Sequence, residues 1–288
     1  VDDGSTDGST AIAQRYAQQY PGKVRYLEHE GHQNRGMSAS RNLGIRHAQG
    51  EYIGFLDADD LWLPDKLAQQ VAIFQTYPEA RMVYGRTQIW YSWSGNPDDE
   101  KLNHFYDLGV PPNTLIQPPQ LLIQLLHNKA QTPTTCNALM HRSVFDEVGG
   151  FEESFRAMYE DQVFFSKIQL KFPVFVSGEC WAKYRQHQES CSSVSEQPFS
   201  YYANRTPFLK WLEHYLAQHR TIEPSVLQAL NTELFFCQYP MLHQLLIQVQ
   251  TSTARLIWKI KSGVRSLLPK SIVSGLQREK SSIRNSVL

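Results

Sequence analysis

A short apolar run, Tyr52 to Leu56, ends directly on Asp57-Ala58-Asp59-Asp60. That junction constrains the chain more than any other feature. Carboxylates this close repel one another and raise each other's proton affinity, so a fold that keeps them together must offer compensation. Either they cap a helix or they share a ligand. Pro64 follows, a residue suited to a helix start, so capping is the plain alternative. A second acidic pair, Asp2-Asp3, stands in the turn-rich opening Val1-Asp2-Asp3-Gly4-Ser5. Val1 reads as the last residue of a strand, and Ser5, Thr6, Asp7 and Ser9 are good N-caps for a helix reaching about Tyr20.

Between these clusters the pattern alternates. A β-type run covers Val24 to Leu27, a helix Met37 to Ala48, a strand Tyr52 to Leu56, a helix Pro64 to Thr76, and a strand Met82 to Tyr91. Strands and helices in turn predict a layered α/β sheet. Ligands of such sheets bind at the carboxyl ends of the strands. Both acidic clusters fall at that edge.

Beyond residue 91 the periodicity weakens. Residues 92–119 are rich in Pro, Gly and Asn and read as a long loop. Short helices are expected at Leu121 to Leu126, Phe145 to Phe151 and Glu160 to Leu170, and a strand at Val174 to Tyr184. From about Pro198 the pattern is helical to the end, with breaks near Pro224, Pro240 and Pro269.

Arg41 and Asn42 sit early in the Met37 helix. A cation gains nothing from the helix dipole there, but an anion would gain from both. The plain alternative is a solvated arginine.

Three segments taken together, DDGSTDGS, GMSASRNLG and EYIGFLDADD, resemble the family 2 glycosyltransferases in order and spacing. The resemblance implies a GT-A fold: a Rossmann-type mixed α/β sheet, followed here by a helical C-terminal extension. Residues 1–197 would form the transferase domain, with a donor half at 1–91 and an acceptor half at 92–197, and residues 198–288 the extension. It also implies a nucleotide-diphosphate-sugar donor. Asp2 and Asp3 would contact base and ribose. Arg41 would lie near the diphosphate or brace the metal carboxylates, and Asp57 and Asp59 would form the DXD pair. Arg185 and His187, in Tyr184-Arg185-Gln186-His187, resemble a stretch that meets diphosphate and metal. Mg²⁺ or Mn²⁺ would be held by Asp59, Asp60 and His187, since such cations prefer hard oxygen donors and keep positions open for phosphate. In Tyr159-Glu160-Asp161-Gln162 the resemblance points to the base of an inverting transfer, Asp161 first and Glu160 second. A capping acid pair at a helix start is the alternative. The acceptor would be a glycan or a lipid-linked glycan of a cell-surface polysaccharide.

The family's pattern carries a strand and loop before DDGS. This chain begins at Val1, so we expect it to lack that unit. A truncated, non-catalytic binding or membrane-docking module is the alternative to an enzyme.

Charge narrows the partners. Lys and Arg total 28 and so do Asp and Glu, which disfavours bulk nucleic-acid binding. The balance is uneven, however. From Arg255 onward there are eight basic residues and one acid, Glu279, leaving residues 1–254 acidic. Leu256, Ile257, Ile260, Val264, Leu267 and Leu268 share one helical face opposite Arg255, Lys259, Lys261 and Arg265. Such a helix lies on an anionic membrane or packs on its own domain, and both readings stand. The four cysteines are scattered without a CxxC pair, as suits a reducing compartment. Together these features predict a cytoplasmic protein, peripheral at the inner face of the cell membrane.

Overall fold

The structure is a computed structural model that describes residues 1–156, 158–187, 200–219, 223–249 and 252. The chain divides into two compact units, Val1–Cys237 and Gln238–Leu288. Of the second, residues 240–249 are helical, and the basic segment from Arg255 onward lies outside the described residues.

Within the first unit a six-stranded sheet is built from β1 (Tyr52–Gly54), β2 (Leu61–Trp62), β3 (Met82–Trp90), β4 (Thr114–Ile116), β5 (Leu139–His141) and β6 (Val174–Arg185). Its order is β1-β5-β3-β6-β2, with β4 also on β6. Only β3 and β6 run parallel; the other pairings are antiparallel. The sheet is therefore mixed. The expected strands at Tyr52, Met82 and Val174 form. The Val24–Leu27 run does not become a regular strand and contributes only an isolated bridge between Asp2 and Glu28. β2, β4 and β5 went unread in the sequence because runs this short carry no periodicity, and β4 lies within the 92–119 stretch expected to be loop.

Side-chain alternation explains the layers. Met82 and Tyr84 of β3, with Val174 and Val176 of β6, pack against Phe164, Phe165 and Ile168 of α6 (Glu160–Lys171). Their neighbours Val83 and Phe175 point the other way, toward Phe74 of α3 (Lys66–Thr76). The first four residues of β3 and of β6 are buried, as expected where helices cover both faces. Toward Trp90 and Arg185 the burial gives way, so the parallel pair emerges at a common carboxyl edge.

Four more helices matter for the site: α1 (Ser9–Gln19), α2 (Met37–His47), α4 (Gln120–Leu126) and α5 (Ser143–Val148). α1 buries no residue. α6 is the reverse, with eight buried residues including Glu160 and Lys167. It is covered by α4, α7 (Ser200–His219) and α8 (Pro224–Gln238), which share a second core containing Leu122, Val163, Phe208, Leu212 and Leu230.

This helical layer is locked by a buried ion pair. Arg205 of α7 lies 3.3 Å from Glu233 of α8 and also donates to Asn128 Oδ1 at 2.8 Å. Breaking such a pair strands a charge in the interior. Glu233→Ala is expected to cost about 3–5 kcal/mol, and the Arg205→Met/Glu233→Leu double substitution much less. Urea denaturation of the two variants checks this; equal losses would show that stranding the Arg205 charge carries no penalty.

Candidate active site

The DADD loop is pinned at both ends. β1 delivers it from one side, and β2 returns it to β6, where Leu61 pairs with Lys183. A turn from Asp57 O to Asp60 N at 3.1 Å folds the acids onto themselves. Across the loop stands α2, whose entry is set by Asp3. The Asp3 carboxylate accepts from Arg35 N at 2.7 Å and from Gly36 N at 3.1 Å, joining the first acidic turn to the helix start.

Arg41 is the joint of the site. Its NH1 donates to Glu160 Oε1 at 3.0 Å, and its NH2 to both oxygens of Asp57 at 3.0 and 3.1 Å. Its guanidinium also lies 5.3 Å from the Phe151 ring centroid. Burial works against its charge, but Asp57 and Glu160 outweigh that effect and raise its proton affinity. An arginine at the positive end of a helix thus serves two carboxylates rather than solvent.

The sequence placed residue 42 beside Arg41, early in the helix, without a contact of its own. Asn42 accepts from Phe151 N at 2.8 Å and donates to Phe151 O at 2.9 Å and to Glu153 Oε1 at 3.0 Å. A side chain on Gly150 would collide with the Asn42 amide. Ser38 adds a bond to Phe155 O at 2.8 Å, and Lys167 adds bonds to Gly150 O and Glu152. Three side chains, Ser38 and Asn42 of α2 and Lys167 of α6, therefore hold the segment that leads into Glu160 and Asp161. The signal available in the sequence was the polar spacing Ser38, Arg41, Asn42, with Ser38 and Arg41 one turn apart on α2.

At the start of α6, Tyr159 takes a left-handed backbone conformation, φ +66°. Such a conformation is uncommon for a bulky residue and persists only where surrounding contacts hold it. Tyr159 is stacked against Phe208 at 5.7 Å. Glu160 turns inward to Arg41, and the next residue, Asp161, lines a cavity of about 320 Å³ together with Arg41, Asp57, Asp60, Thr132 and Tyr184. Burial, and then the neighbouring Glu160 charge, push the Asp161 carboxyl up to about 7.

The remaining acids cluster at the mouth. Asp60 Oδ1 accepts from Arg185 N at 3.0 Å, while its Oδ2 is buried without a hydrogen-bond partner among the described residues. Burial, with Asp59 and Asp57 adding to it, pushes the Asp60 carboxyl up to about 6. Arg185 Nε donates to Asp59 O at 2.6 Å, and its guanidinium rests between Trp90 and Trp93 at 5.3 and 4.9 Å. His187 Nε2 lies 3.3 Å from Asp59 Oδ2.

The structure thus brings Arg41, Asp57, Asp60, Glu160 and Asp161 to one cavity, with Asp59, Arg185 and His187 tied to the same loop. Asp2 and Asp3 are not among its lining residues. Asp2 is held by Ser5 N, Thr10 Oγ1 and Tyr26 OH. Burial opposes its charge, but these bonds keep its carboxyl well below the usual range.

Among the described residues, no three His, Cys, Asp or Glu side chains gather into a closed metal site. The donors at the mouth nevertheless fit a divalent cation that draws its other ligands from a substrate. Asp59 and His187 meet there, and Asp60 carries an orphaned oxygen. Mg²⁺ commonly binds through one or two carboxylates plus phosphate oxygens.

Comparison with known proteins gives the family and the fold. The family model described as Glycosyl transferase family 2 matches residues 1–149. RC0461 of Rickettsia conorii, an uncharacterised glycosyltransferase, is 30% identical over 193 residues, 67% of this chain and 29% of its own length. TuaG of Bacillus subtilis, a candidate teichuronic acid biosynthesis glycosyltransferase, is 29% identical over 199 residues, 67% of this chain and 68% of its own. The chain spans under a third of the length of several relatives it matches, 29%, 23% and 29% for three of them. Among solved structures, S. aureus TarS 1–349 in complex with UDP-GlcNAc superposes with a TM-score of 0.56 at 18% identity, over 83% of this chain and 62% of that one. Pyrobaculum calidifontis PcManGT with GDP-Man and Mn²⁺ gives 0.50 at 17% identity, over 82% and 58%. These likenesses show the GT-A fold.

The raised Asp161 carboxyl has a sign that can be measured. An acid whose folded pKa lies above its unfolded value contributes stability that is complete below the ordinary carboxylate range and is lost as pH rises through about 7. Asp161→Asn cannot ionise. Its melting temperature should therefore gain on the wild type between pH 5 and pH 8; a difference independent of pH would refute the assignment.

Proposed function

The chain belongs to glycosyl transferase family 2, and on that premise we propose that it moves a sugar from a nucleotide-diphosphate-sugar to an acceptor hydroxyl with inversion. The observation that carries this reading is the cavity that Asp161 shares with the Arg41–Asp57 ion pair.

Asp161 is the base. With its proton affinity near neutrality it takes the acceptor's hydroxyl proton as the oxygen attacks the anomeric carbon. The new glycosidic C–O bond forms on the face opposite the breaking bond to phosphate, and the electron pair leaves with the diphosphate. Glu160 is the weaker candidate, because its carboxylate is committed to Arg41 at 3.0 Å. Arg41 positions Asp57 and Glu160, and Arg185 braces the loop that carries Asp59 and Asp60. Asp59, Asp60 and His187 would hold Mg²⁺ or Mn²⁺, which when bound supplies positive charge to the leaving diphosphate. Asp2 and Asp3 act at the nucleoside end, Asp3 by ordering residues 35 and 36.

The acceptor is a glycan or lipid-linked glycan of a cell-surface polysaccharide. The names of related proteins support this class: GgaB of Bacillus subtilis, a minor teichoic acid biosynthesis protein, is 48% identical over 61 residues. The chain works at the inner face of the cell membrane. No described helix is long and apolar enough to cross a bilayer, and the eight basic residues from Arg255 onward support peripheral attachment.

Transfer is measured as nucleoside diphosphate release with a panel of uridine, guanosine and thymidine diphosphate sugars. Asp161→Asn should lower it by about 10²–10⁴-fold. The wild-type rate should climb as pH rises through about 7, because the base must be ionised. A flat profile together with an active Asn variant would defeat the mechanism. For the attachment, flotation with vesicles containing phosphatidylglycerol should retain the whole chain and release one ending at Thr253. Equal flotation would remove the membrane reading.

A further inference from the structure

β5 pairs with β3 only at Met82 and Val83. Past that point one side chain takes over as the partner of β3. Asn137 Oδ1 accepts from Gly85 N at 2.7 Å, and Asn137 Nδ2 donates to Arg86 O at 2.7 Å. A planar amide with one acceptor and a donor thus does the work of a strand's peptide group. Pairing between β3 and β6 shifts register on both sides of Arg86. In a regular strand the N–H of one residue and the C=O of the next point to opposite edges, so the irregularity turns both toward Asn137. No side chain on residue 85 could fill the same space, because a Cβ there would collide with the Glu179 carbonyl.

Asn137 is itself gripped from behind. It is fully buried, as are Gln70 and Lys66 of α3. The Asn137 carbonyl accepts from Gln70 Nε2 at 2.8 Å, and Gln70 Oε1 accepts from Lys66 Nζ at 2.7 Å. The preceding carbonyl, of Cys136, accepts from Trp62 Nε1 at 2.6 Å, and the Lys66 ammonium lies 4.4 Å from the Trp62 ring centroid. Two successive carbonyls are therefore held by β2 and α3 while the amide holds β3.

The effect reaches the cavity that holds Asp161. Asn137 N donates to Thr134 O at 3.0 Å, closing a turn, and the hydroxyls of Thr134 and Thr87 meet at 2.7 Å. Thr134 and Thr135 line the cavity with Asp161 and Arg41, whereas Asn137 does not. This stretch of wall thus hangs between Asn137 and β3. A misplacement of about 1 Å transmitted from outside the chemistry costs on the order of 10²-fold in rate.

We propose that Asn137, backed by Gln70, is a positioning residue of the transfer: its amide fixes the Thr134–Thr135 wall relative to Asp161. The proposal rests on the transferase reading, and its test keeps the two apart. Amide hydrogen exchange, nucleoside diphosphate affinity and transfer are measured on the whole chain. Asn137→Ala should speed exchange of the Gly85 N–H and lower transfer, each by about tenfold or more, with uridine or guanosine diphosphate affinity held within about twofold. Gln70→Met should give the same pattern more weakly, and it decides the matter if thermal melting shows that Asn137→Ala does not fold. Unchanged Gly85 exchange, unchanged transfer, or nucleotide affinity falling in step with transfer would overturn the positioning role. A wild type that releases no nucleoside diphosphate from any donor, while Gly85 exchange responds as expected, would instead strike the transferase reading.

Discussion

Arg41 ties two distant stretches of the chain together. Asp57 follows β1, and Glu160 opens the helix that carries Asp161. The two acids are more than 100 residues apart, yet they share one guanidinium at 3.0 Å on each side. A buried ion group of this kind is weak evidence for stability, because the desolvation of three charges offsets most of their attraction. Its value here lies in geometry. A planar fork with fixed donor directions dictates where both carboxylates stand. Phe151, under the guanidinium and stacked on Phe164 at 4.3 Å, keeps the fork from tilting.

The surroundings of this joint follow from it. Asn42, one residue along the same helix, takes the backbone of Phe151 on both its donor and acceptor sides. Asp3 fixes the entrance of that helix. The chain of contact therefore runs from the opening turn, through α2, to the loop before α6. The sheet is a scaffold on which these loops are hung. The fold by itself would not assign the chemistry, since similar sheets carry many unrelated activities.

Much of this was legible in the sequence where the physics is local. Acid clusters at strand ends, a proline at a helix start and long apolar strands each leave a mark within a few residues. The strands of β3 and β6 and the helices α2, α4 and α6 were readable for that reason. β2, at two residues, and β5, at three, were not. They exist because the sheet around them needs partners, and that need is visible only in three dimensions. The same holds for Val24–Leu27, whose β-type composition yields a single bridge at Glu28. Arg41 could be marked as unusual from its helix position, but its division between Asp57 and Glu160 could not. Nor could the sequence show that Asn42 packs against Gly150, because nothing local connects them.

β6 carries a last consequence. Its first residues pair with β4 and its final ones with β2, so one continuous strand sets the relation between two otherwise separate edges. Its pairing with β3 is not uniform, however. Val176 stands opposite Tyr84 but Ala182 opposite Thr87, so six steps of β6 are matched by three of β3 and the strand bulges between them. A bulge bends a strand and re-aims the side chains that follow it. Arg185 therefore owes its place beside Asp59 and Asp60 to an irregularity in the middle of its strand, and residues 177–181, remote from the acids, set the direction from which the guanidinium reaches them.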